Sequence, residues 1–176
     1  MDKKIKITIT DFKKKDIERK YINALNDKKL MQYSENRFKL FNRKSCLNFY
    51  KMMKKNKNYF FLISKNDLEK QTITSIGTMT AYVDHNNKNC DLGILVWEKG
   101  KSFGNIAWKM AIKKIFNNSN IKKITAGAME NNIAMIKIFK NSGMKFELRK
   151  RKNFLYKKKY VDMIGYYIFK NKYLNL

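Results

Sequence analysis

Two short segments carry residues whose types and spacing suit a phosphorylated ligand. Lys99-Gly100-Lys101-Ser102-Phe103-Gly104-Asn105 follows a strand-like run, Asp91-Leu92-Gly93-Ile94-Leu95-Val96-Trp97, and leads into an amphipathic stretch. Free N–H groups at a helix start, glycine that lets backbone and anion approach closely, and lysine counter-charge together make an anion site. The second segment, Asn132 to Gly143, opens on one of the best N-cap residues and closes on a glycine suited to the end of a helix. Groups able to move a proton stand nearby: Asp91 and Glu98 in or beside the strand, and His85 in the turn that precedes it. His85 is the only histidine, so a histidine metal cluster is excluded and any Ser-His-Asp or Cys-His triad would have to use it. Cys46 and Cys90 are too few for a disulfide framework or a structural zinc site, and no metal site is expected.

The elements that must position these residues follow from periodicity. Lys4 to Thr10 alternates Ile5, Ile7 and Ile9 with polar residues, the period of a half-buried strand. Ile17, Tyr21, Ile22 and Leu25 have helical spacing, and a second helix, with Ser45 as a plausible N-cap, carries Leu47, Tyr50 and Met53. Lys28 to Lys44 between them is polar and aperiodic. Tyr59 to Ile63, Gln71 to Asp84 and Cys90 to Trp97 read as a three-strand antiparallel meander, with turns at 64–70 and 85–89. Trp108, Ala111, Ile112 and Ile115 then form the stripe of a helix packed on a sheet. A strand over 122–129, a helix from Asn132 to Gly143, and strands over 145–151 and 160–169 complete the order, the last two joined by a basic, aromatic-containing hairpin.

At 176 residues with 44% hydrophobic content, the chain reads as a single packed domain spanning 1–176, with neither repeat nor linker. No apolar run reaches membrane-spanning length and the N-terminal residues alternate charge with aliphatics, so a cytoplasmic protein without a membrane partner is expected. Forty Lys and Arg against fourteen Asp and Glu give a formal charge of +26, which attracts anions and disfavours a polycationic substrate. The lysines are spread along the chain, Pro is absent and Asn and Ile are abundant, so drift in an AT-biased coding sequence also accounts for the charge.

The order strand, helix, helix, three strands, helix, strand, helix, two strands resembles the GNAT superfamily of N-acetyltransferases over essentially the whole chain. Lys99-x-x-Ser102-x-Gly104 is similar to that family's pyrophosphate loop (Gln or Arg, x, x, Gly, x, Gly or Ala), with serine at the first glycine. Serine fits there only if the backbone does not demand a positive φ. The resemblance implies an α+β fold: a mixed, mostly antiparallel sheet of six to seven strands flanked by about four helices and splayed at its central parallel pair. It implies acetyl-CoA as cofactor. Leu95 and Val96 would contact the pantetheine, Lys99, Gly100, Lys101, Ser102, Phe103, Gly104 and Asn105 the pyrophosphate, and Asn132 the cofactor through its amide. Phe139 falls where many relatives place a tyrosine against the cofactor, and brings no proton.

A finer resemblance, carried by Tyr21 to Asp27, Tyr33-Ser34-Glu35-Asn36-Arg37, Gly104 to Trp108, Thr125-Ala126-Gly127 and Lys159 to Asp162, is to bacterial enzymes acetylating nucleotide-linked amino sugars for surface polysaccharides. It implies an anionic small-molecule acceptor lined by Glu35 and Arg37, with Asp91, Glu98 or His85 as base. Two other readings remain open: an N-terminal protein acetyltransferase of the ribosomal-protein kind, and a non-catalytic nucleic-acid or ribosome-binding module. The last rests on Arg149-Lys150-Arg151-Lys152, Phe154, Tyr156 and Lys157-Lys158-Lys159, basic residues interleaved with rings able to stack on bases. Monomer and homodimer are both compatible with the sequence.

Overall fold

A computed structural model describes residues 4–98 and 102–174. Seven strands form one sheet: β1 (Ile5–Asp11), β2 (Tyr59–Asp67), β3 (Thr72–Asp84), β4 (Asn89–Val96), β5 (Lys123–Met129), β6 (Lys145–Tyr156) and β7 (Lys159–Phe169). Their spatial order is β1-β2-β3-β4-β5-β7-β6. Every neighbouring pair is antiparallel except β4 and β5, which run parallel. The helices are α1 (Arg19–Asn26), α2 (Arg43–Lys55), α3 (Phe103–Asn118), α4 (Ile133–Asn141) and a short α5 (Lys170–Leu174) that the periodicity does not foretell. This is the α+β architecture expected from the sequence.

Strand alternation sorts the core into two layers. Ile7, Phe61, Ile63, Met79, Ala81, Cys90, Leu92, Ile124, Ala126 and Ile164 face α3 and α4, where Trp108, Ile112, Ile115 and Phe139 are fully buried. On the opposite face Phe12, Ile17, Tyr21, Cys46, Met53 and Phe60 pack under α1 and α2, joined by Trp97. Phe12 stacks on Phe60 with centroids 4.0 Å apart.

Several boundaries differ from the sequence reading, and Ile17 lies before α1 rather than in it. The N-cap of α2 is Asn42, not Ser45: the Asn42 side chain accepts from the Ser45 N–H and the Ser45 hydroxyl accepts from the Asn42 N–H, a reciprocal capping box. β2 continues through Asp67, because Ser64 to Asp67 still pair with β3 beyond a bulge at Ile63 and Ser64. β6 runs to Tyr156, leaving only Lys157 and Lys158 as the turn, both at positive φ (46° and 65°), as a two-residue hairpin of matching twist requires. The basic connection expected between strands over 145–151 and 160–169 is therefore mostly strand.

Candidate active site

The parallel pairing of β4 with β5 is short. It joins Asn89 to Lys123, Cys90 to Ile124 and Asp91 to Thr125, and stops. β4 continues to Val96 bonded only to β3, while β5 continues to Met129 bonded only to β7. The two strands thus diverge into a V whose apex is Asp91 and Thr125. Along the open edge, Leu92 to Val96, Leu95 and Val96 among them, have no strand partner, so their outward backbone groups are available to a ligand. From apex to the end of β4 is five residues, roughly 16 Å at the rise of a strand.

The start of α3 closes the wide end of the V. The amides of Phe103, Gly104 and Asn105 belong to the first turn and have no intrahelical acceptor; the first closing bond is Ile106 N–H to Ser102 C=O, 3.1 Å. The Phe103 ring is buried in the core, so its contribution to a ligand is its N–H. A Cβ at Gly104 would lie 3.3 Å from Ile138 Cδ1 and 3.7 Å from Val96 Cγ2, which places this glycine between β4 and α4. Lys99, Gly100 and Lys101 lie outside the described residues.

Ser102 sits at φ 61°, ψ 22°, the left-handed region that the sequence reading marked as the condition under which serine would not fit. Its side chain makes no capping bond. Ser102→Gly relieves this strain, offset in part by the greater freedom glycine brings to the unfolded chain. The expected gain is about 0.5–1 kcal/mol, a rise in melting temperature of about 1–3 °C by thermal unfolding, with acetyl-CoA affinity retained.

Asn132 caps α4, its Oδ1 accepting from the Met135 N–H at 3.2 Å. Its neighbour Asn131, which the sequence reading passed over, keeps a buried side-chain oxygen without a partner, as does Asn105 in the first turn of α3. Buried unpaired oxygens are costly, and these two stand at or just before the helix starts that flank the V. The donor set therefore fits a ligand with amides along its length and phosphates at its end. Phe139 must be corrected: its ring is fully buried between Trp108 (5.5 Å) and Tyr166 (5.1 Å) and has no surface to offer a cofactor.

At the apex, the face turned away from α3 and α4 is polar. Tyr82 on β3, Asp91 on β4 and Thr125 on β5 lie in one row. Thr125 Oγ1 donates to Asp91 Oδ2 at 3.0 Å. Water reaches the Asp91 carboxyl, but strands flank it on both sides. This desolvation raises its pKa above the ordinary carboxylate value; the Thr125 bond opposes the rise and the nearby Glu35 carboxylate adds to it. The Tyr82 phenol is raised by burial first, then by Asp91 and Glu35. Beyond this row the face carries Thr80 opposite Gly93, and Gly127 opposite Gly165, the latter two covered by the Met163 and Leu148 side chains. A Cβ at Gly93 would meet only Thr80, 3.4 Å from its Oγ1, so the room above Gly93 is not demanded by packing.

The segment between α1 and α2 forms the other wall. Arg37 donates to Ser34 O at 2.8 Å and to Leu155 O at 2.7 Å, and Tyr156 donates to Gln32 Oε1 at 2.8 Å. The tip of the β6–β7 hairpin is thereby tied to the segment carrying Glu35. Two base candidates fall away. His85 lies in the β3–β4 turn, at the closed end of the parallel pair, with Nε2 3.2 Å from Asn56 O. Glu98 is ion-paired with Lys65. A cleft of about 530 Å³ exists, but it is lined by Lys54, Lys57, His85 and Lys114 at that same closed end, away from the V. Among the described residues no group of acidic, histidine or cysteine side chains could hold a metal.

A protein-family comparison gives the decisive observation: the model of the acetyltransferase (GNAT) domain matches residues 6–145. The chain belongs to the GNAT acetyltransferase family. It is an acyltransferase that uses acetyl-CoA. No curated protein matches at the sequence level. Among solved structures, the fold of this acetyltransferase is similar to spermidine N-acetyltransferase from Vibrio cholerae in complex with CoA and spermine (TM-score 0.83, 20% identity, 96% of this chain and 98% of that one). It is also similar to a GNAT-family acetyltransferase from Bacillus anthracis (TM-score 0.74, 17% identity, 94% and 95% coverage). No helix among the described residues is long and apolar enough to cross a membrane.

Proposed function

We propose that this acetyltransferase transfers acetyl to a primary amine of a small cationic acceptor, of which polyamines are the best-supported class. The observation that carries the reading is the row Tyr82, Asp91, Thr125 at the apex of the V. A carboxylate at the apex, with the Glu35 carboxylate near enough to add to the rise in its pKa, favours an ammonium group. The spermine held by the structurally similar Vibrio cholerae enzyme agrees in class. The formal charge of +26 opposes a polycation at long range, but beyond about 8 Å salt screens it, and the contacting carboxylates govern the bound state.

When bound, acetyl-CoA supplies the activated acetyl thioester. The chain's own residues bind the acceptor and take its proton, while the thiolate released as a C–N bond replaces the C–S bond takes its proton from water. Glu35 holds the ammonium near Gly93, and Asp91 receives the proton that the nitrogen must lose before it can attack. Desolvation raises the carboxyl and lowers the ammonium in pKa, so the same environment narrows the gap between proton donor and acceptor. Thr125 keeps the Asp91 carboxyl oriented.

The amino-sugar acceptor read from the sequence loses support at its intended clamp, because Arg37 is committed to two backbone carbonyls. The nucleic-acid reading loses its stacking platform: Phe154 lies 6.0 Å from the Arg37 guanidinium and Tyr156 stacks on Tyr33, so both rings serve contacts within the protein. The test is release of free thiol from acetyl-CoA in the presence of spermidine, spermine, UDP-amino sugars or short peptides with free N-termini. Release with the polyamines is the expected result. Release only with a UDP-amino sugar or a peptide overturns this acceptor class.

A further inference from the structure

We infer that Arg37 is a positioning residue that pins the Ser34–Arg37 turn to the tip of the β6–β7 hairpin and thereby holds Glu35 toward Asp91 and Tyr82. The inference rests on the acceptor reading above and deepens it. Glu35 sits in a tight turn closed by Arg37 N–H to Ser34 O at 3.2 Å, and the Arg37 side chain donates to the same carbonyl at 2.8 Å. The other arm of the guanidinium crosses to Leu155 O at 2.7 Å, 118 residues away in sequence. The guanidinium stacks 4.4 Å from the Phe38 ring and 6.0 Å from Phe154. Tyr33 stacks on Tyr156 at 5.4 Å and 15°, and Tyr156 bonds Gln32, so the junction has a second point of attachment just before the turn.

The other bonds of the turn are local, Asn36 N–H to Ser34 Oγ at 3.1 Å and Lys39 N–H to Asn36 O at 3.0 Å. Glu35, Asn36 and Lys39 are exposed, Phe38 is 76% exposed and Leu40 is 89% exposed, so no side chain between Tyr33 and Phe41 reaches the core. A carboxylate on a loose turn would sample many positions. One on a turn held by a planar fork with two fixed acceptors keeps a single orientation, a geometry lysine does not supply. Arg37 therefore acts on the acceptor through Glu35, without touching it.

The experiment combines hydrogen exchange with a double-mutant cycle on the full chain. In Arg37→Ala, amides in 34–39 should lose about tenfold or more of their protection, while those of the β4–β5 apex keep theirs, since a charge-assisted hydrogen bond contributes on that scale. In Glu35→Gln, exchange should be unchanged. With spermidine as acceptor, each single variant should raise acceptor KM about tenfold with acetyl-CoA KM unchanged, and the double variant should match the singles, because one residue acts through the other. Unchanged exchange in Arg37→Ala, or additive effects in the double variant, overturns the inference. The exchange arm needs no acceptor: if wild type acetylates no amine, the acceptor reading fails while the pinning of the turn is still judged by exchange.

Discussion

Gly104→Glu abolishes measurable acetyl-CoA binding, a loss of at least about a hundredfold in affinity, in a protein that melts at or above the wild-type temperature. The glycine is the second residue of α3, and its missing Cβ would point between Val96 Cγ2 and Ile138 Cδ1. A side chain on that line runs into the space between the unpartnered end of β4 and the middle of α4. Glutamate there brings bulk and a negative charge to the helix end whose free amides would otherwise hold phosphates. The same charge is favourable to the helix dipole when no ligand is present, so folding does not suffer. Gly104→Ala is the control: its Cβ would press only on the flexible tip of Ile138 at 3.3 Å, and affinity should stay within about threefold of wild type, about 0.6 kcal/mol. Calorimetry of acetyl-CoA binding, with thermal melts alongside, reads both variants. Retained affinity in Gly104→Glu would move the phosphate site away from α3.

How much of this was legible beforehand depends on which signal each residue carried. The order of elements was readable because the alternation in β1 and the stripe Trp108, Ala111, Ile112, Ile115 are strong periodic signals, and their residues are buried as those patterns require. The splay was readable only through family resemblance, since nothing in the composition of Leu92 to Val96 distinguishes an edge without a partner from one inside a ladder. Asp91 was legible as a candidate, but Tyr82 and Thr125 were not, because they come from strands distant in sequence and meet Asp91 only through register. Strand parity held a clue: each lies between residues that face α3 and α4, Ala81 and Val83 around Tyr82, Ile124 and Ala126 around Thr125. Glu98 and Arg37 were read as free to act on a ligand, and the structure gives both to partners in the protein, Lys65 in one case and two carbonyls in the other. Charge on a side chain is visible in a sequence; its satisfaction is a tertiary property. The Asn131 and Asn132 pair shows the same limit on a smaller scale, where a shift of one residue decides which amide caps the helix and which keeps a buried, unpaired oxygen.

Asp91→Asn lowers kcat by about a hundredfold or more, the scale of a lost general base, and leaves acetyl-CoA affinity unchanged. Asparagine can still accept from the Thr125 hydroxyl, so the geometry of the apex is preserved and the change falls on proton acceptance alone. The pH dependence follows from the direction of the shift. Desolvation raises the wild-type carboxyl against the opposing Thr125 bond, with Glu35 adding to the rise, so the acid limb of kcat/KM falls above the pH of an ordinary aspartate. In Asp91→Asn that limb disappears. Stability moves oppositely to activity. A carboxyl whose pKa is higher folded than unfolded contributes stability that is full below the unfolded value and lost as pH rises through the folded value. At neutral pH ionised Asp91 therefore weighs against the fold, and Asp91→Asn should melt no lower than wild type there, with the difference shrinking on acidification. A cationic acceptor bound beside Asp91 lowers its pKa, so the acid limb of kcat should lie below that of kcat/KM, whereas an anionic acceptor moves it the other way. The two pH profiles thus report both the base and the charge of what it serves. A limb that persists in Asp91→Asn removes Asp91 as the base, and a kcat limb above that of kcat/KM removes the cationic acceptor.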